Sequence, residues 1–96
     1  MSVITLTRFQ VDPANADRLR DRHSALVASI RTDFPGLTEA RLGRLDDHTW
    51  VGIWRWDSAD DLRVARQAVP GNAAAAAVFA LAGEAAVDDV DVLDEH

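Results

Sequence analysis

His23 is the side chain of this sequence best suited to acid–base chemistry, because an imidazole titrates near neutral pH and can act as a general base. At about 100° per residue, it shares one helix face with apolar residues, namely Leu19, Leu26, Val27 and Ile30. If that face borders a pocket, the ring could deprotonate an acidic phenol or anthrone, and the resulting carbanion could react with oxygen directly. The alternative is a core histidine hydrogen-bonded to a threonine or a backbone group.

The three tryptophans of the chain, Trp50, Trp54 and Trp56, all lie in the segment 49–58. Side chains alternate between the two faces of a strand, so these indoles share one face with Gly52. The face either fills a core or walls a pocket, and Gly52 leaves a space in it. In the second interpretation all three indoles bind a flat aromatic ligand by stacking.

Four polar side chains are further candidates for binding that ligand. Thr5 and Thr7 lie on a predicted strand and could present their hydroxyls to the same space. Arg63 and Arg66 lie on a predicted helix and could bind a carboxylate or a phenolate at the pocket mouth, although exposed helix arginines are commonly only solvated.

Composition excludes several kinds of chemistry. The chain has no cysteine, lysine or tyrosine, which removes thiolate metal sites, Schiff-base catalysis and phenolic acid–base roles. His23, His48 and His96 fall in a predicted helix, a turn and a tail, and they form no recognisable metal site. We therefore expect neither a metal nor a cofactor.

The charge pattern argues against nucleic acid as a partner. The net charge is −6 and the ten arginines are interleaved with acids, whereas nucleic-acid-binding proteins present a basic patch or stripe. No segment approaches the roughly 20 apolar residues that cross a bilayer. We expect a cytoplasmic protein without a membrane partner.

The elements that must position these side chains follow from periodicity and capping. Asp12-Pro13 and Ser58, with Asp61 three residues on, are helix-start signals, and Pro35-Gly36 and Pro70-Gly71 are stops. A bulge is expected at Gly43. The predicted elements are a strand over 2–11, a helix from 13 to 32 or 33, strands over 37–45 and 49–58, a helix after Ser58, a helical piece over 73–82 capped by Asn72 and ended by Gly83, and an edge strand over 85–93.

This order is β-α-β-β-α-β with the second helix split, which predicts one α+β domain over 1–96 with the ferredoxin-like plan. Helices cover one sheet face in that plan. The other face carries either the tryptophans or Ile4, Leu6, Val51 and Ile53, and would expose a large apolar patch. We therefore predict a homodimer packed sheet to sheet.

The spacing from Pro35-Gly36 to Trp56, followed by Asp57, Ser58 and a short helix, resembles the antibiotic biosynthesis monooxygenase family. The resemblance implies a dimeric α/β barrel with a pocket between sheet and helices in each subunit. Some members oxidise aromatic polyketides without metal or flavin, and others degrade haem or sense small molecules.

The carry-over of family residues is mixed. Trp56 matches the pocket tryptophan at the end of the strand, but Gly52 and Leu62 stand where the polyketide-type enzymes carry an asparagine and a tyrosine. About ten residues after the tryptophan, where the haem-degrading members carry a histidine ligand, this chain has Arg66, which cannot ligate iron. Haem degradation is therefore not expected.

Two hypotheses follow. The first is a small-molecule enzyme resembling cofactor-independent monooxygenases of aromatic or polyketide-like substrates. His23 would be its base, Trp54 and Trp56 would hold the ring, and an arginine would steady the anion. The second is a non-catalytic ligand-binding or accessory protein of the same fold, which the missing asparagine and tyrosine favour.

Overall fold

A computed structural model describes residues 2–82 and 85–96 of the chain. It has the predicted α+β architecture: strands β1 (Val3–Gln10), β2 (Leu37–Arg44), β3 (Thr49–Trp56) and β4 (Ala85–Asp91), with helices α1 (Ala16–Asp33), α2 (Ala59–Ala68) and α3 (Ala73–Phe79). Short 3₁₀ turns over Pro13–Asn15 and Val69–Gly71 precede α1 and α3. Among the residues described, no helix is long and apolar enough to cross a membrane.

The four strands form one antiparallel sheet in the order β2-β3-β1-β4, which confirms the ferredoxin-like plan. In the β1–β3 pairing Thr5 lies opposite Trp54, and Thr7 lies opposite Gly52. Strand β4 pairs only with β1 and forms an edge of the sheet, as its sequence predicts. The register brings the threonines and the Trp-rich strand side by side.

The tryptophan face of β3 is the one that the helices cover. Trp50 and Trp56 are buried and belong to one core with Leu19 and Ile30 of α1. On the opposite face Ile4, Leu6, Val51 and Ile53 are only partly buried. The sequence leaves the choice of face open, and the packing of α1 against the indoles decides it, because these large rings bury the most apolar area.

Side-chain caps begin α2 and α3 where the sequence predicts them. The Ser58 hydroxyl accepts a 3.1 Å hydrogen bond from the backbone N–H of Asp61. The Asn72 side chain accepts one of 3.0 Å from the N–H of Ala75. Both satisfy donors that a helix N-terminus leaves unpaired, and both helices wall the cavity described below.

Gly36, just after α1, packs closely against the start of α2. A Cβ at Gly36 would lie 2.6 Å from Cγ of Asp61, and the backbone N–H of Asp57 donates to the Gly36 carbonyl over 2.9 Å. The glycine of the Pro35-Gly36 pair is therefore required by packing as well as by the end of α1.

The predicted bulge at Gly43 is wrong. Gly43 pairs directly with Val51, and the register of β2 shifts between Leu37 and Glu39. The extra residue is Thr38, whose hydroxyl donates to the Arg55 carbonyl over 3.2 Å. The bulge thus lies where β2 leaves the Pro-Gly turn, and a glycine alone does not locate it.

Helix α3 is shorter than the predicted 73–82. It ends at Phe79, because the N–H of Leu81 bonds the Val78 carbonyl three residues back and tightens the last turn. The predicted end at Gly83 lies outside the described residues.

Candidate functional site

A cavity of about 310 Å³ lies between the helix-covered face of the sheet and the three helices. This volume is at the lower end of the roughly 300–1,000 Å³ typical of ligand pockets. The sheet contributes Thr5, Thr7, Phe9, Gly52, Trp54, Trp56 and Val87, and the helices contribute among others His23, Leu26, Ile30, Leu62 and Phe79. Its lining is almost entirely apolar, so it favours a hydrophobic ligand.

His23 reaches the cavity from the apolar face of α1. The residue is 6% exposed, and the Trp54 indole Nε1–H donates a 3.0 Å hydrogen bond to His23 Nε2. The two rings meet edge to face with centroids 5.8 Å apart. Since Nε2 is the acceptor, this arrangement requires a ring in which Nε2 carries no proton.

Burial lowers the pKa of His23 below its ordinary value, because removal from water disfavours the charged ring. A hydrogen bond accepted by Nε2 can form only while that nitrogen is unprotonated, so it acts in the same direction. At neutral pH the imidazole is therefore unprotonated. Its lone pair is nevertheless engaged by Trp54, so an acidic group on a ligand must displace the indole before His23 can deprotonate it.

Gly52 lies directly against this pair. A Cβ at Gly52 would lie 3.6 Å from His23 Nε2, 3.8 Å from Trp54 Nε1 and 3.5 Å from Phe9 Cε2. These are ordinary contact distances, so a longer side chain there would project against both ring nitrogens. The bare backbone keeps the polar part of the cavity accessible to a ligand.

The indoles of Trp54 and Trp56 line the cavity, and the indole of Trp50 does not. Trp54 and Trp56 have ring centroids 6.3 Å apart. Trp50 lies four residues, about 13 Å, further along β3. It lines a neighbouring polar groove, with the guanidinium of Arg44 5.6 Å from its ring. The structure thus separates Trp50 from the other two predicted ligand contacts.

Trp56 Nε1 is a buried donor with no hydrogen-bond partner among the described residues, and the same is true of Trp50 Nε1. An unpaired buried N–H costs about 1–3 kcal/mol. Trp56 is 2% exposed, so its indole N–H meets a ligand only after a small side-chain movement.

Thr5 and Thr7 both border the cavity, on the strand next to the tryptophans. Thr5 is buried and Thr7 is partly buried. The structure therefore brings Thr7 together with His23 and Trp54, as the sequence predicts. Their hydroxyls add donors and acceptors to an otherwise apolar wall.

Arg66 lies at the cavity edge, but it is already paired. Its two guanidinium NH₂ groups donate to both carboxylate oxygens of Asp89 over 2.6 and 2.8 Å. This bidentate hydrogen bonding lowers the pKa of Asp89 and raises that of Arg66. An anionic ligand would have to replace Asp89 to reach the guanidinium.

The sequence does not identify Asp89 or Val87 as site residues, because the acidic pattern of β4 indicates only a solvated edge. Both side chains lie on the face of β4 that points toward the helices. Asp89 pairs with Thr5 across the two strands, and Val87 pairs with Thr7. Two-residue alternation along β4 is the signal that could have placed them there.

No three His, Cys, Asp or Glu side chains group together as metal ligands anywhere in 2–82 or 85–96. His48 is exposed in the turn after β2, and His96 lies in the C-terminal tail, 3.1 Å from Asp94. Neither approaches His23 in the cavity. His23 is thus the histidine that lines the cavity.

A family model, described as antibiotic biosynthesis monooxygenase, matches residues 2–77 of the chain. No curated protein matches the chain in sequence. The fold is similar to that of Rv0793 from Mycobacterium tuberculosis, with 25% identity, a TM-score of 0.74, and coverage of 99% of this chain and 98% of that one.

Two further solved structures share the fold. One is a monooxygenase from the gene ActVA-Orf6 of Streptomyces coelicolor, in complex with nanaomycin D. It is 22% identical with a TM-score of 0.80, covering 99% of this chain and 90% of that one. The other is SnoaB, a cofactor-independent oxygenase from Streptomyces nogalater. It is 23% identical with a TM-score of 0.68, covering 98% and 95%.

Proposed function

This chain belongs to the antibiotic biosynthesis monooxygenase family, and from that premise we propose that it is a cofactor-independent monooxygenase of a flat aromatic, polyketide-like compound. The observation that carries the proposal is a neutral, buried His23 on the wall of an apolar cavity. Low polarity suits an aromatic substrate and dioxygen alike, and the imidazole supplies a general base on the cavity wall. Structural relatives that are named as oxygenases support the same reaction class.

The proposed reaction begins with proton transfer from an acidic ring carbon to His23 Nε2. The carbanion adds to dioxygen and forms a carbon–oxygen bond, and the peroxide takes the proton back from His23. Loss of water from the hydroperoxide then breaks the O–O bond and leaves a carbonyl. For a methylene carbon the balance is CH₂ plus O₂ giving C=O plus H₂O, so one oxygen atom stays in the product.

The remaining predicted site residues hold the substrate in this scheme. The indoles of Trp54 and Trp56 hold its ring, and the hydroxyl of Thr7 binds an oxygen substituent. Arg66 steadies the developing anion by exchanging Asp89 for the substrate oxygen. Trp50 has no part in it, since it lies outside the cavity.

A second candidate is a binding protein of the same fold that does not turn its ligand over. The specific observation in its favour is the Trp54–His23 hydrogen bond, which occupies the base. The positions of Gly52 and Leu62, which lack the family's amide and phenol, point the same way. The cavity serves both candidates, and only turnover separates them.

We also propose that the protein acts as a homodimer joined through the helix-free face of the sheet. That face presents Ile4, Leu6, Val51 and Ile53, and Val90 of β4 is 39% exposed beside them. Burial of these side chains against a second copy would remove apolar surface from water. A stable monomer in light scattering at micromolar concentration would contradict this proposal.

Binding and turnover are tested in two steps. Because two indoles line the cavity, titration with hydroxylated anthrones and quinones should quench or shift tryptophan emission. Oxygen uptake with the compounds that bind is then compared between the wild type, His23→Ala and the exposed control His48→Ala. The proposal expects uptake that falls by about 10²-fold or more in His23→Ala only. Binding without uptake in the wild type would favour the second candidate.

A further inference from the structure

The Trp54–His23 hydrogen bond is a donor and an acceptor held side by side on an apolar wall. Trp54 Nε1 carries the hydrogen, His23 Nε2 carries the lone pair, and the two atoms are 3.0 Å apart. Both residues line the cavity. In a site with so few other polar groups, these two nitrogens dictate which polar pattern a ligand can bring.

The surroundings allow a ligand to reach both nitrogens at once. Gly52 lines the cavity with them and carries no side chain, whereas a Cβ there would already be in contact with both nitrogens, at 3.6 and 3.8 Å. Trp54 is only partly buried, in contrast to Trp50 and Trp56. Its indole is therefore the ring of the three with the most room to give way.

We propose that the Trp54–His23 pair is an exchange site for an aromatic ring that bears a hydroxyl next to a carbonyl. The ligand hydroxyl donates to His23 Nε2, and its carbonyl accepts from Trp54 Nε1–H. The hydrogen-bond count balances, since the protein's internal bond and the ligand's own hydroxyl–carbonyl bond are replaced by two bonds across the interface. The inference deepens the proposed function, on which it rests for the ligand cavity.

The pairing gives the site its selectivity. A ring with a carbonyl alone would separate the pair and leave His23 Nε2 unpaired. A ring with a hydroxyl alone has one oxygen to serve both nitrogens. Its O–H and lone-pair directions diverge too widely for two nitrogens 3.0 Å apart, so one of the two hydrogen bonds is poorly aligned. Because an unpaired buried polar group is penalised, a site that hydrogen-bonds two groups rejects ligands that lack one of them. The exchange concerns binding, and a ring carbon can give its proton to His23 Nε2 once the bound hydroxyl has left that nitrogen.

Two isomers of one compound test this pattern. In 1-hydroxyanthraquinone the hydroxyl adjoins a carbonyl, whereas in 2-hydroxyanthraquinone it does not. We expect the 1-isomer to bind the wild type about tenfold more tightly, equivalent to about 1.4 kcal/mol. Part of that preference comes from the cost of removing the ligand hydroxyl from water. This cost is lower for the 1-isomer, because its hydroxyl is already hydrogen-bonded to its own carbonyl. That part should persist in Trp54→Phe, and the exchange part should not.

The expected result is therefore a preference that drops to threefold or less in Trp54→Phe and stays near tenfold in the control Trp50→Phe, whose ring lies outside the cavity. An unchanged preference in Trp54→Phe, or equal binding of both isomers to the wild type, overturns the inference.

A measurement on the wild type avoids reliance on variants that could misfold. In ¹H–¹⁵N spectra, the Trp54 indole N–H signal should shift on addition of the 1-isomer and much less with the 2-isomer, with the Trp50 signal as an internal reference. A Trp54 signal that responds equally to both isomers contradicts the exchange. Neither isomer has an oxidisable methylene, so these results are independent of turnover. Selective binding without oxygen uptake on anthrones would leave the exchange site intact and refute the oxygenase.

Discussion

Acidification below about pH 6.5 should destabilise the fold through His23, whose unfolded-state pKa is near that value. Burial lowers the pKa of His23 in the folded protein, so in the window between the two pKa values only the unfolded chain takes up the proton. Stability is then fully present above the unfolded pKa and is lost as the pH falls toward the folded pKa. The Trp54 hydrogen bond to Nε2 is lost with protonation of that nitrogen, which reinforces the effect.

The magnitude follows from a single proton. Where the unfolded state is protonated and the folded state is not, the free energy of unfolding falls by up to about 1.4 kcal/mol per pH unit. Carboxylates contribute at lower pH. Asp89, whose pKa is lowered by its hydrogen bonds to Arg66, loses its contribution only as the pH falls below the ordinary carboxyl range. The His23 contribution is therefore isolated between about pH 7.5 and pH 5.5.

Urea unfolding at several pH values across that window gives the free energies by linear extrapolation. His23→Gln cannot ionise but can still accept from the Trp54 indole, and His48→Gln is the matched exposed control. We expect the acid-dependent loss in the wild type and in His48→Gln, and a flat profile in His23→Gln. A wild type with constant stability across the window, or a loss carried by His48, would refute the reasoning.

Three further variants and one control test other contacts. Gly36→Ala should cost about 1–3 kcal/mol of unfolding free energy in urea, since its Cβ would lie 2.6 Å from a side-chain atom of α2. Gly71→Ala, with nothing within 4 Å, should stay within about 0.5 kcal/mol, and equal costs would contradict the clash. Asn72→Ala should cost about 1 kcal/mol by thermal unfolding through loss of the α3 cap. Asp89→Asn should cost less than about 1 kcal/mol, because the pair with Arg66 is half exposed, while anionic aromatic ligands bind more tightly in fluorescence titrations. Unchanged anion binding would show that Asp89 does not compete for Arg66.

Most of the fold is predictable from the sequence because its signals are local. The alternation in β3 places the tryptophans on one face, and the caps at Ser58 and Asn72 begin the helices. The choice of the covered face is a tertiary question. It depends on how well α1 packs against the indoles, and a strand with apolar residues on both faces does not settle it.

The lining of the cavity is partly predictable from the sequence, and the contacts within it are less so. Periodicity brings His23, Trp54 and Thr7 to one cavity. Alternation along β3 places Trp50 on the same face as Trp54 and Trp56, but Trp50 lies too far along the strand to line the cavity. The partners of His23 and Arg66 arise from side chains 31 and 23 residues away, and no local pattern specifies such pairs.

The origin of the product oxygen tests the central claim most directly. An anthrone is turned over by the purified protein under ¹⁸O₂, and the quinone is analysed by mass spectrometry. The account predicts one ¹⁸O atom per quinone, at a rate well above that without protein and reduced to near that background in His23→Ala. Product formed no faster than without protein, or carrying oxygen from water, would contradict a monooxygenase that uses His23 as its base.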